Sequence, residues 1–472
     1  MLKESIHQTT CEFTRGVMGF FEGTGMRTAE EMEETLTEMV RMYVCEVASR
    51  YIEAVDDEIR EAKSERRAAG YRIERRGDER HYLTRFGELN FQRTYYRGTE
   101  GYVYLVDQVL GIEQGERISK GIKKALSEAA LDMSYEQSRQ KVCEGVVSRT
   151  SVMNAIRASS SQPVSELDVK QKVPNLHIDA DEDHVTLIGG RGSIVPLISV
   201  YEGIERQGQR GVCKNIFHIS EYGKSADDLW EQVLTRIEEQ YDLEDTQVYL
   251  HGDGASWIQR GLEWIPNTIF VLDKYHKNKA IKEMTVGLEP RLRREAEVRI
   301  RLMLSQGDDV SLSAISIELM DRQPERISKI RKASRYLRAH LEAIEICAKD
   351  LEANNGGCTK PHVSNRLSRR LSSRPMAWSK RTLERLAPLL AQRTSIIIGH
   401  AASSIRNEKS ASILLSGAER RRIKAPESRK NNNNPVPEAV GVLPSLRFGR
   451  VNQLFRILGS LASFSHENIY RQ

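Results

Sequence analysis

The chain has 472 residues, 39% of them hydrophobic and 29% charged, which allows two to four domains of ~150 residues with a core and a heavily charged surface. Lys and Arg number 71 against 66 Asp and Glu, and the net charge of +5 is too mild for bulk charge alone to establish a nucleic-acid partner. No run of about 18 apolar residues occurs, so no membrane span is expected.

The N-terminus, MLKESIHQTTCEF, has no apolar signal core. Six scattered cysteines contain no CxxC pair, which argues for reduced thiols in a cytoplasmic protein and against a disulfide framework. Cys358 and His362 lie close in sequence, but two ligands are too few for a zinc site. Basic residues gather early, at Arg66, Arg67, Arg72, Arg75 and Arg76, and late, from Arg420 to Lys430. Such runs are either solvated faces or phosphate contacts.

Residues 1–80 read as helices; the stripe Met32, Leu36, Met39, Tyr43, Val47 is at helical spacing and suits packing or oligomerisation. Residues 81–112 alternate apolar and polar residues and break at Gly98 to Gly101, a hairpin signal. Its Arg93, Tyr95, Tyr96 and Arg97 either present a basic, aromatic surface or fill a small sheet.

Residues 113–160 predict three helices: Ile118 to Ala130, Ser134 to Val142 and Arg149 to Ala158. Ser134 with Gln137 makes a capping box, Gly145 supplies the turn, and Ser148 caps the third helix. This is a helix-turn-helix layout, with Arg149, Asn154 and Arg157 on the face offered to DNA; helix-Gly-helix also occurs in plain bundles. Ser159 to Pro174 is a polar linker.

From 172 to 276 the pattern is α/β. Leu176 to Ile188, Ile194 to Tyr201 and Cys213 to Ile219 are expected strands, Ala226 to Glu239 a helix, and Val248 to Leu250 and Thr268 to Leu272 two further strands. Residues 277–355 read as a helical insertion, 356–390 as a return to sharp motifs, and 391–472 as a tail, flexible around Asn431 to Asn434.

The acids carry the chemistry. Asp179, Asp181 and Asp183 alternate on one strand and share a face. Asp253 follows the strand Val248 to Leu250, and Asp273 with His276 follows the next. Asp253 is either a helix cap or a ligand. Carboxylates on adjacent strands suit hard divalent cations such as Mg2+ or Mn2+, and two such ions activate a nucleophile and stabilise a leaving oxygen in phosphodiester chemistry.

The stretches FGELNFQRTYYR, YLVDQVLGI, DMSYEQS, DADEDHV, HGDGASWI, VLDKYHKNKAI and RLSSRPMAWSK together resemble the ISLre-type insertion-sequence transposases, a group of Asp-Asp-Glu transposases; DKYH also resembles the Asp-x-x-His element of Mutator-like transposases. The resemblance implies an α/β RNase H-like core, a mixed five-stranded sheet with helices, interrupted by the insertion and completed by a last helix within 356–390. It further implies a likeness in activity: metal-dependent DNA cleavage and strand transfer by a homo-oligomer on DNA. By position, Asp181 and Asp253 become the metal-binding acids, with Asp183 in reserve for the first, and Asp273 and His276 an accessory pair. The third acid of the family pattern falls on Lys360, which cannot ligate a cation; either Glu352 substitutes or this copy is impaired. Arg370 and Arg374 become DNA-backbone or packing residues. Two alternatives are an inactive DNA-binding remnant and a cellular RNase H-like nuclease.

Overall fold

The computed structural model describes residues 2–393 apart from 24, 26, 162–169 and 209, together with Ile396–Ile398. The chain divides into two units, Met1–Glu408 and Lys409–Gln472, and the described residues belong to the first. The middle of the expected linker, the late basic cluster and the asparagine run lie outside the described residues.

Helices α1 (Leu2–Glu22) and α2 (Ala29–Glu61) open the chain, and Thr28 with Glu31 forms a capping box at the start of α2. The antiparallel strands β1 (Arg72–Thr84), β2 (Gly87–Gly98) and β3 (Gly101–Tyr104) follow. Strand β1 begins nine residues before the alternating run that predicts it, because Arg72 to Glu79 is nearly all charged and carries no period-two signal. Asp56 of α2 fastens this sheet, accepting from the Thr94 backbone N–H (3.1 Å) and hydroxyl (2.6 Å). Tyr96 is fully buried, and Arg93 is buried against Asp107 with its guanidinium 3.5 Å from the centre of the Tyr104 ring. Those two residues fill the sheet and form no outward surface.

Helices α3 (Lys120–Asp132), α4 (Tyr135–Cys143) and α5 (Arg149–Ala158) make the trihelical unit. Ser119, Ser134 and Ser148 cap them, and the turn between α4 and α5 uses the left-handed residues Glu144 and Gly145. Ile122, Leu126, Val152 and Ile156 share one core with Val185, Leu187, Val195 and Leu197 of the central sheet, so the unit is docked on the α/β body.

The central sheet contains β4 (Asn175–Thr186), β5 (Gly192–Tyr201), β6 (Phe217–Ile219), β7 (Gln247–Gly252) and β8 (Thr268–Leu272), in the order β6-β5-β4-β7-β8. The β4–β5 and β5–β6 pairs are antiparallel; β7 is parallel to both β4 and β8. The third strand is shorter than expected: Arg210–Cys213 pairs instead with Ile204–Gln207 as a separate ribbon, and Asn215 at φ 50° breaks the run. Along β4 the pleat sorts the side chains. Leu176, Ile178 and Ala180 enter a core with Leu229, Trp230 and Val233 of α6 (Ala226–Glu238). His177, Asp179, Asp181 and Asp183 take the other face.

The insertion comprises α7 (Lys274–Thr285), α8 (Pro290–Ser305), α9 (Asp309–Arg322), α10 (Ile327–Ala339) and α11 (Leu341–Lys349). Its core, including Ile300, Leu312, Ile330 and Leu337, is joined to the sheet through Leu272. After it, α12 (Thr359–Val363) runs through a π-helical turn, Ser364–Ser368, into Arg369–Leu371, and α13 (Lys380–Gln392) is followed by the short strand Ile396–Ile398. Among the described residues no helix is long and apolar enough to cross a membrane.

Candidate active site

Strand β7 lies parallel beside β4 with His251 opposite Asp179. The paired register ends there; Asp181 and Asp253 each follow two residues further on, and the charges of both reach His276. Asp181 is buried; one carboxylate oxygen accepts the Glu182 N–H (2.8 Å), and the other, Oδ2, has no partner. Burial pushes the Asp181 carboxyl up, while the Glu182 N–H and the charges of Lys360 and His276 pull against it. Asp253 is half-buried, and its Oδ1 accepts the Ala255 N–H (2.8 Å) ahead of the short helix Ser256–Gln259. The N-cap of that helix is Ala255, with no side-chain cap bond, so Asp253 does not cap it as expected and spends one oxygen on the turn before it.

The loop that presents Asp253 is built from both sides. Gly254 sits at φ 87°, and a Cβ there would collide with the His340 ring. Tyr336 of α10 donates its phenolic proton to the Asp253 carbonyl (2.7 Å). These insertion residues were not legible in the sequence; the only local signal is the glycine after Asp253.

Asp273 caps α7. Its Oδ2 accepts the backbone N–H groups of Tyr275 (3.0 Å) and His276 (3.2 Å) and faces His276 Nδ1 at 3.1 Å. Burial alone would raise the Asp273 carboxyl, but hydrogen bonds from His276 and Thr359 outweigh it and hold it low. Burial alone would lower His276, but Asp273 first, then Asp181 and Asp253, leave it raised. One imidazole thus feels all three carboxylates.

Lys360 stands in the first turn of α12, close enough for its charge to act on Asp181, with its ammonium 5.9 Å from the centre of the Tyr275 ring. The position expected for a third acid therefore carries a cation beside the aspartates. Glu352 does not substitute. It bonds Asn355 (3.2 Å), and its field is felt at His177, four residues before Asp181 on β4. Asp183 is engaged through one oxygen: its Oδ1 accepts the hydroxyls of Ser368 and Ser372, both at 2.8 Å, and anchors the last helical stretch to the sheet, while its Oδ2, like that of Asp181, has no partner. Asp179 accepts Gly357 N–H (3.2 Å), Cys358 N–H (2.8 Å) and the Tyr201 hydroxyl (3.1 Å), which fixes the approach to α12.

Among the described residues no group of three or more His, Cys, Asp or Glu is arranged to hold a metal ion. Asp181 and Asp253, with one buried oxygen unpartnered, fit a single magnesium-like cation, which needs one or two carboxylates and completes its shell with water or phosphate oxygens. They do not fit a second ion beside Lys360.

The expected DNA contacts separate into two groups. Asn154 and Arg374 are exposed, and Arg149 is exposed but bridged to Glu136 (2.5 Å). Arg157 does not face outward as expected, and Arg370 takes the packing alternative. Arg157 binds the Ser379 and Thr382 hydroxyls (3.2 and 3.3 Å). Arg370 is buried, donates to the Ala130 carbonyl (2.7 Å) and lies 4.8 Å from the Trp378 ring centre. Both tie the trihelical unit to the last helices.

What these features define is a mixed α/β protein with Asp181 on a central strand, Asp253 just past the parallel strand beside it, a docked trihelical unit and a helical insertion. The chain belongs to the UPF0236 family, an uncharacterised protein family whose profile matches residues 23–407. It is 33% identical over 471 residues to a UPF0236 protein of Caldanaerobacter subterraneus subsp. tengcongensis whose name carries eleven locus designations, covering 98% of each chain. A second UPF0236 protein of that organism, with four locus designations, is 31% identical over 472 residues, again covering 98% of each chain. A "UPF0236 protein in vanSb 3'region" of Streptococcus gallolyticus is 24% identical over 398 residues, 79% of this chain and 86% of that one.

Proposed function

We propose that this chain is an insertion-sequence transposase of the ISLre type, with an RNase H-like core that cuts DNA at its element's ends and joins it to a target. The observation that carries this reading is that Asp181 and Asp253 each lie two residues beyond the parallel Asp179–His251 pair and both act on His276, while Asp181 Oδ2 has no partner. The strand order β6-β5-β4-β7-β8, with β7 and β8 parallel to β4, agrees with such a core. A relative bearing eleven locus designations in one genome supports it independently, because repeated copies are what a self-mobilising gene leaves.

Asp181 and Asp253 would hold a magnesium or manganese ion. The cation would polarise the scissile phosphate and lower the pKa of the attacking water. Burial and the parallel strands hold the two carboxylates in place. His276, kept toward its charged form by Asp273, sits where it can donate to a phosphate oxygen. The α5 face with Asn154 would meet DNA, and so would α10, where Lys329, Arg331, Lys332 and Arg335 are exposed and without ion-pair partners among the described residues. The chain would work in the cytoplasm as a homo-oligomer assembled on DNA.

The test is magnesium-dependent nicking of DNA carrying the element's ends. The unaltered protein should nick it and Asp253→Asn should not; nicking at full rate by Asp253→Asn would refute the site. A second reading, a DNA-binding remnant without chemistry, is favoured by Lys360 alone. Band-shift activity with no cleavage in magnesium or manganese would establish it. Cleavage without joining would point to an RNase H-like nuclease.

A further inference from the structure

Behind the aspartate pair, the start of α12 meets the end of the Arg210–Cys213 ribbon. The side chains of Cys358, immediately before α12, and Cys213, the last ribbon residue, lie close enough to shift each other's titration. His362 Nε2 lies 3.8 Å from the Cys213 sulfur and 3.5 Å from an oxygen of Asp179, which also accepts the Cys358 N–H. Both thiols are partly exposed, so a small oxidant can reach them.

We infer that Cys213 and Cys358 form a dithiol that a hydroperoxide converts to a disulfide, with Cys358 as the attacking sulfur and Cys213 as the resolving one. The two thiols are made unequal by their surroundings. The nearby Cys213 thiol brings Cys358 down to about 7, against burial and with help from the Lys274 ammonium, while Asp273 opposes. Cys358 in turn, then burial, pushes Cys213 well up. The neighbouring imidazoles add no positive charge: burial brings His362 down to about 4 and His218 down to about 3. Cys45, Cys143 and Cys347 are all raised, burial being the main cause. Low pKa, partial exposure and an adjacent second thiol are the features of a redox-sensitive cysteine.

The chemistry balances. The Cys358 thiolate attacks hydrogen peroxide, the O–O bond breaks, and a sulfenic acid and hydroxide form. The Cys213 sulfur then displaces the sulfenic oxygen, which leaves as water with the thiol proton. The sum is two thiols and one peroxide giving one disulfide and two waters. The new bond would tie the ribbon to the turn that carries Lys360. This inference does not depend on transposase activity.

The test uses the full chain, reduced, exposed to hydrogen peroxide, blocked with N-ethylmaleimide and mapped by peptide mass spectrometry. The expected product is a Cys213–Cys358 cross-linked peptide pair, two hydrogens lighter than the separate peptides and released by dithiothreitol. Cys213→Ser should stop at a Cys358 sulfenic acid that dimedone traps. On the unoxidised protein, iodoacetamide near neutral pH should modify Cys358 roughly tenfold faster than Cys45, Cys143 or Cys347. Oxidation of the unaltered chain that yields a different cysteine pair, a Cys358 sulfinic acid without cross-link, or no reaction at Cys358 overturns the inference, whether or not the variants fold.

Discussion

Tyr336 donates its hydroxyl proton to the backbone carbonyl of Asp253 at 2.7 Å, so a helix of the insertion holds the loop that presents a candidate catalytic acid. The insertion is therefore part of the site's scaffold. Tyr336→Phe removes this bond with little change of volume. It should lower stability by about 1 kcal/mol, the usual net value of a partly buried hydrogen bond. It should also lower nicking more than substrate binding, because the Asp253 carboxylate loses its fixed position. Urea unfolding and a kcat-against-KM comparison check both parts. Gly254→Ala, strained in backbone and crowded by His340, should be worse on both counts.

Lys360 is the clearest departure from what a two-ion site requires. Lys360→Glu would replace an ammonium by a carboxylate beside Asp181. Without divalent ions, the variant should melt at a lower temperature than the unaltered chain, since three acids then crowd one pocket. Magnesium should raise its melting temperature more than it raises that of the unaltered chain. Nicking should rise on the order of tenfold or more if the lost acid is what limits the two-ion chemistry. A thermal-shift titration and the nicking assay check these separately. An unchanged rate with a clear magnesium shift would mean that a third ligand is not limiting.

What the sequence makes legible is what is local. The Ser134–Gln137 capping box and the left-handed turn at Gly145 are written within a few residues of each other, and the trihelical unit follows from them. The strands that carry Asp181 and lead to Asp253 were legible too, because each is a short apolar run. The partners of Arg157 and Arg370 were not, although packing was one of the two roles open to Arg370. Their partners lie 222 and 240 residues away, at Ser379 and Ala130, and no spacing rule announces a contact of that range. The serines that engage one oxygen of Asp183 were hidden for the same reason: its alternation with Asp181 is local, but Ser368 and Ser372 arrive with the last helices.

The two arginines of that last stretch should separate cleanly. Arg370→Ala leaves the Ala130 carbonyl without its donor and empties the space beside Trp378 and Tyr135. A loss of about 3 kcal/mol is expected from breaking a buried charged contact. Arg370→Lys should recover only part of it, since an ammonium neither stacks nor forks. Arg374→Ala, at an exposed position, should change stability by no more than about 0.5 kcal/mol and weaken DNA binding. Denaturant melts and band shifts on the three variants test this.

The Asp273–His276 pair makes a pH dependence. His276 is raised in the folded chain, so its contribution is fully present below the ordinary histidine value of about 6.5 and is lost as pH rises through its folded value. Asp273 is lowered, so its contribution is present above the ordinary aspartate value of about 3.9 and is lost as pH falls through its folded value. The pair therefore stabilises most between those ordinary values. His276→Gln should narrow the difference in melting temperature between mildly acidic and alkaline buffer. An equal gap in the variant and the unaltered chain would show that the pair does not titrate with folding.

The exposed face of α10 makes a prediction in salt. Lys329, Lys332 and Arg335 lie on a helix whose sequence, ISKIRKASRYLRA, contains no acid, and Tyr336 ties that helix to Asp253. If DNA runs along this face toward the aspartates, each cation neutralises a phosphate and releases condensed counterions. Log affinity then falls linearly with log salt, and each cation removed should reduce the slope by about 1. The triple variant Lys329→Ala, Lys332→Ala, Arg335→Ala should therefore bind DNA more weakly at low salt, with a slope shallower by about 3, and should keep its melting temperature because none of the three has an ion-pair partner among the described residues. Asn154→Ala should instead weaken binding to the element's ends more than to unrelated DNA, because a base-edge contact carries sequence information and a phosphate contact does not. Fluorescence anisotropy across a salt series distinguishes the two patterns, and an unchanged slope in the triple variant would move the DNA path off α10.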